Sequence, residues 1–115
     1  MNYLAHAVLS FGHNEILIGN MISDFVKGSS KYSYAPMILH GIHLHRMIDT
    51  FTDRHPATRA ANMVFRKFAG PYAGAFTDVS YDHFLATDPT IFSGESLTIN
   101  IFNCCNILIH ISYIN

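Results

Sequence analysis

The sequence predicts an all-α fold, and three observations carry that reading. Apolar residues recur at the three- and four-residue spacing of a helix. Gly and Pro punctuate the chain at short intervals. No run before residue 97 shows the strict alternation of a half-buried strand. Helices joined by short breaks pack as a bundle.

The elements follow in order. Asn2 to Ser10 is short, mostly apolar and free of breakers, enough for a helical turn or two. Phe11-Gly12-His13-Asn14 reads as a loop with Asn14 as an N-cap. Glu15 to Val26 carries Leu17, Ile18, Met21, Ile22 and Phe25 at helical spacing, and Gly28-Ser29-Ser30 ends it. Lys31 to Ala35 reads as a loop. Pro36 suits the first turn of a helix running to about Asp53, with Ile38, Leu39, Ile42, Ile48 and Phe51 as its buried stripe. His55-Pro56 breaks it, because the residue before a proline avoids the α region. Ala57 to Ala69 makes a fourth helix, Gly70-Pro71 breaks again, and Ala73 to Ala86 makes a fifth.

Composition limits what such a bundle could do. The chain has 115 residues, half of them hydrophobic, and a formal net charge of −1. No bulk basic field points to nucleic acid. The two cysteines, Cys104 and Cys105, are adjacent, which suits neither a structural disulfide nor a zinc spacing. The first eleven residues lack the basic start of a signal peptide, and His6 interrupts their apolar run, so a cytoplasmic protein is expected. Residues 96–115 are uncharged and long enough to raise a membrane span, but four Asn and His110 within them argue against insertion.

The informative excess is eight histidines, because several cluster with Asp. His45, Asp49 and Asp53 are spaced i, i+4, i+8, which lines them along one helix face. An imidazole and two carboxylates converging there make a mixed N/O site suited to Mn²⁺, Fe²⁺ or Zn²⁺. The same spacing also describes a solvated face with a His–Asp pair. Asp78 and Asp82 repeat the i, i+4 pattern, and His83 follows, about 100° round the helix from Asp82. Tyr81 could brace a carboxylate there. Here the ordinary alternative is a capping Asp and a core His. His6 lies among apolar residues, as a core histidine or a ligand would. Asp24 falls between Ile22 and Phe25 at the end of an apolar stripe, where a carboxylate needs a metal or an arginine such as Arg46. No GxGxxG, Walker A, GxSxG or HExxH motif is present.

Five motifs then occur in order: Asn2-Tyr3-Leu4-Ala5-His6-Ala7; Gly19-Asn20-Met21-Ile22-Ser23-Asp24-Phe25-Val26-Lys27-Gly28; His45-Arg46 followed by Asp49 and Asp53; His55-Pro56; and Tyr81-Asp82-His83-Phe84-Leu85-Ala86. Together they resemble the acyl carrier protein phosphodiesterase family, a divergent relative of the HD-type metal-dependent phosphohydrolases. The resemblance covers residues 1–97. It implies a helical bundle of the HD type that is incomplete at the C-terminus, since members of the family are longer and continue with more helices. It implies hydrolysis of the phosphodiester between 4′-phosphopantetheine and a serine of holo-acyl carrier protein, with a divalent metal, typically Mn²⁺. It assigns His6, Asp24, His45, Asp49 and Asp82 to the metal. Asp53, Asp78 and His83 are expected to do acid–base work and Arg46 to hold the phosphate, while the division between ligands and acid–base groups stays open at this level. The substrate protein would be small and acidic, and Lys27, Lys31, Arg54, Arg59, Arg66 and Lys67 could steer it.

Beyond residue 97 the pattern of that family stops. Ser96 to Asn115 is dominated by Ile and Asn, the composition that an out-of-frame reading of AT-rich DNA produces. Residues 98–115 are therefore expected to be an atypical tail outside the domain, with a β-branched terminal strand as the alternative. Two other functions stay open at this level: an HD-type phosphohydrolase acting on a nucleotide or other small phosphoester, and an inactive helical fragment.

Overall fold

The structure is a computed structural model that describes residues 3–93. Among them are five α-helices and no strand: α1 (Tyr3–Val8), α2 (Asn14–Ile22), α3 (Pro36–Arg54), α4 (Pro56–Ala69) and α5 (Ala73–Thr87). The described residues are all-α, as the periodicity predicts. The expectations for the tail from Ser96 onward lie outside the described residues.

Three local expectations are corrected. Asn14 is the first residue of α2 rather than its cap; His13 takes the cap position in extended backbone and makes no side-chain cap bond. The α2 stripe does not run on to Val26. The helix ends at Ile22 and tightens into a 3₁₀ turn, Ser23–Phe25. Gly28–Ser33 is 3₁₀ helix rather than open loop. Both 3₁₀ segments sit at the end of a helix or in a connection, where tighter i→i+3 bonding satisfies orphan carbonyls.

The closest packing is between α2 and α3, and two glycines allow it. A Cβ on Gly19 would lie 2.9 Å from the Gly41 Cα and would run into the Ile38 carbonyl oxygen. A Cβ on Gly41 would lie 3.0 Å from the Gly19 Cα and would run into the Ile16 carbonyl oxygen. With only hydrogens between them, the two backbones touch. Around this crossing Ile22, Val26 and Ile42 form a buried apolar cluster with Ile18 and Ile38 against it. Ser23 adds a tether by donating to the Ile42 carbonyl at 3.2 Å.

α1 packs on both α2 and α5. Ala7 and Met21 join it to α2 through a second small cluster. Its N-terminus is held from α5: the Leu4 and Ala5 N–H groups donate to the two carboxylate oxygens of Asp82, each at 3.1 Å. First-turn N–H groups have no partner inside their own helix, so a carboxylate there satisfies them and meets the positive end of the helix dipole.

His55 alone separates α3 from α4. It adopts extended backbone ahead of Pro56, and its ring accepts the Ala57 N–H to cap α4. Gly70 ends α4 at φ +54°, a conformation open to glycine. Polar pairs join α4 to α5: Thr58 with the Tyr81 hydroxyl at 2.9 Å, and Thr77 donating to Asn62 at 2.6 Å. Several large apolar side chains of this pair are exposed among its charged ones. Phe68 is 70% exposed, and Met63, Val64, Tyr72 and Phe76 are also exposed.

A candidate metal centre between three helices

The site gathers where α1, α2 and α3 meet. The His6 and His45 rings stack with centroids 3.9 Å apart and planes 11° from parallel. Both side chains are buried. His6 Nε2 lies 3.1 Å from Asp49 Oδ1. His45 Nε2 lies 3.2 Å from Asp49 Oδ2 and 3.2 Å from Asp24 Oδ1. Asp49 therefore presents one oxygen to each ring, and Asp24 reaches the second ring from the 3₁₀ turn after α2.

These placements follow from local structure. His45 and Asp49 are one turn apart on α3 and share a face with Gly41 and Ile48, the face that meets α2. The 3₁₀ turn at Ser23 carries Asp24 out of the apolar stripe. Its side chain is 66% exposed rather than buried, with His45 as its partner. Arg46, considered above as that partner, instead donates to the Val26 carbonyl at 3.1 Å. It also lines an exposed groove with Met47, Phe51 and Arg54.

The donor set fits a divalent cation. One ligand atom each from His6, His45 and Asp49 can be chosen so that all lie within 4.8 Å of one another. Ligands about 2.1 Å from a common ion lie about 3 to 4 Å apart, so the measured pairs are close to the required spread. Burial pushes the His6 pKa down to about 4, with the charge of His45 adding to the effect and that of Asp49 opposing it. His6 is therefore neutral at physiological pH, the form that binds metal. Its Nδ1 is buried without a hydrogen-bond partner.

The other expected site residues fall around this centre. Asp53 continues the face of α3 into solvent. Asp78 on α5 is half-buried, and its pKa is raised by burial first, then by the negative charges of Asp53 and Asp49. The three carboxylates thus form one electrostatic neighbourhood. Asp82 is placed differently. Its oxygens hold the backbone of α1, which makes it a support for His6. His83 is exposed and packs edge-on against Phe84, as the 100° offset from Asp82 requires. Tyr81 pairs with Thr58 rather than bracing a carboxylate.

Sequence reading passed over Asn20 and Ser10, both fully buried beside the histidines. The available signal was Gly19-Asn20 inside a helix: two poor helix formers amid apolar residues, one needed for close approach and the other for hydrogen bonding.

A helical bundle in which two buried histidines face Asp49 and Asp24 is compatible with the broad class of proteins that bind a divalent metal. The comparisons narrow this. The family described as "Acyl carrier protein phosphodiesterase" matches residues 1–112. Proteins named acyl carrier protein phosphodiesterase from Shigella boydii serotype 18 and Escherichia coli O139:H28 are each 42% identical over 86 residues, covering 75% of this chain and 45% of theirs. The chain belongs to the acyl carrier protein phosphodiesterase family. It spans a little under half the length of these relatives. No solved structure matches it.

Proposed function

We propose that this chain carries the metal centre of a hydrolase that removes 4′-phosphopantetheine from holo-acyl carrier protein, leaving the apo-protein. The observation that carries the reading is the convergence of His6, His45 and Asp49, with Asp24 against His45, in a member of this family. The metal is Mn²⁺, the hard end of the range that a mixed imidazole–carboxylate set accepts. When bound, a divalent cation supplies Lewis acidity to a phosphoryl oxygen and to water. The residues supply the rest. His6 and His45 would supply imidazole nitrogens to the ion, and Asp49 and Asp24 would balance its charge. Asp53 and Asp78, in the same electrostatic neighbourhood as Asp49, would serve proton transfer. Either carboxyl would serve to protonate the departing serine oxygen. Asp82 holds α1, and so His6, in place. The setting is the cytoplasm and fatty acid biosynthesis; among the described residues no helix is long and apolar enough to cross a membrane.

The test is incubation of the chain with holo-acyl carrier protein and Mn²⁺, following the loss of the phosphopantetheinyl mass by mass spectrometry. Release that needs Mn²⁺ and disappears in Asp49→Ala is expected. Hydrolysis of nucleotides with holo-acyl carrier protein left intact would contradict the substrate. Tight metal binding with no turnover of either would contradict activity in a chain of this length.

A further inference from the structure

Asn20 lies on α2 next to Gly19, at the contact with α3, and is fully buried. Its side-chain nitrogen donates to the His6 carbonyl at 3.0 Å and to the Ser10 hydroxyl oxygen at 3.1 Å. The Ser10 hydroxyl hydrogen is already committed to the same His6 carbonyl at 2.9 Å. Both groups facing this end of the amide are therefore acceptors. Turning the amide over would set its oxygen against a carbonyl oxygen in a site without water access, so the orientation is forced.

That leaves the Asn20 Oδ1 facing His45 Nδ1 at 3.1 Å. An amide oxygen only accepts, so Nδ1 must carry the proton. In the neutral ring Nε2 is then a bare lone pair, and Nε2 is the atom that faces the carboxylates of Asp24 and Asp49. A bare lone pair between two carboxylate oxygens is unfavourable until a cation stands among them. The same amide also holds the backbone carbonyl of His6, so one side chain orients the ring of one histidine and the backbone of the other.

We infer that Asn20 is a positioning residue for the metal centre: it sets the His45 tautomer that presents Nε2 as a ligand and locks α1 to α2 so that His6 stays alongside. This rests on the metal centre proposed above. Partners of this kind, one shell out from the metal, typically account for 10- to 100-fold in metal affinity. A packing role alone would not select a tautomer.

Two-bond ¹H–¹⁵N correlation spectra of the metal-free, ¹⁵N-labelled chain at mildly alkaline pH read the tautomer directly, and calorimetry with Mn²⁺ alone reads the affinity. In the wild type His45 is expected protonated at Nδ1. Asn20→Leu should populate the Nε2-protonated form and weaken Mn²⁺ binding about 10- to 100-fold. A wild-type ring protonated at Nε2 overturns the inference on its own, whether or not Asn20→Leu folds. So does Asn20→Leu with unchanged tautomer and affinity. A wild type with the expected tautomer that binds no Mn²⁺ overturns the metal centre instead, and the positioning role with it.

Discussion

The α1–α3 half and the α4–α5 half of the molecule are built by opposite means. In the first, backbones touch at Gly19 and Gly41, and the polar groups inside, Asn20, Ser10, His6 and His45, are joined by hydrogen bonds. In the second, two helices meet through pairs such as Thr58 with Tyr81, and Phe65, Phe68 and Phe76 pack ring against ring with Phe68 and Phe76 exposed. The difference shows where precision is required. A metal centre needs ligands held to fractions of an ångström, which close backbone contact and a hydrogen-bonded polar interior provide. An apolar helix face needs only a surface.

Substitutions should divide the two halves sharply. The largest effect is expected at the helix crossing. Gly41→Ala drives a methyl into the Ile16 carbonyl, and the obstacle is backbone that cannot swing aside. A loss of about 3 kcal/mol in chemical denaturation is expected, the upper end for overpacking, together with weakened metal binding as Asn20 leaves His45. A Gly41→Ala chain of unchanged stability would mean that the crossing is not as close as described.

Metal binding comes next. Asp49→Asn keeps the shape but removes the charge that both histidines face. It should reduce Mn²⁺ affinity by more than the roughly 100-fold that marks the upper end for an outer partner. Titration calorimetry checks this against Asn20→Leu, and an Asp49→Asn that binds more tightly than Asn20→Leu would reverse their order.

A smaller effect is expected from pH. Folding lowers the His6 pKa from 6.5 to about 4, so between those values the unfolded chain binds more protons than the folded one. Stability of the metal-free chain is therefore full above pH 6.5 and falls as the pH drops towards 4, at up to about 1.4 kcal/mol per unit. Denaturation of His6→Gln across the same range should show a flatter profile; an equal slope would remove His6 as the cause.

The smallest effect belongs to the outer face of α4. Met63→Gln and Val64→Thr alter exposed side chains and should change stability by no more than about 0.5 kcal/mol. A large loss at either position would show that this face is packed in solution.

The same contrast explains how far the sequence could be read. Helix breaks at Gly28, His55-Pro56 and Gly70-Pro71 were legible because glycine and proline act locally. The pairing of His45 with Asp49 was legible because four residues make one helical turn. What no local rule supplies is the partner across helices. Asp82 and Asp24 are both single carboxylates near apolar residues, yet one holds the N-terminus of α1 and the other faces His45. The end of α2 at Ile22 was hidden for a related reason: the periodicity continues to Phe25, while the geometry tightens under tertiary packing. Asn20 was missed because its role exists only once α1, α2 and α3 are assembled.

The central claim is that His6, His45, Asp49 and Asp24 form one divalent-metal centre. Titration of the metal-free chain with Mn²⁺, followed by electron paramagnetic resonance, tests it most directly. A single saturable site is predicted in the wild type and its loss in His45→Ala, with circular dichroism showing that the helices remain. Absence of a saturable site in the folded wild type, or binding unchanged in His45→Ala, would contradict it.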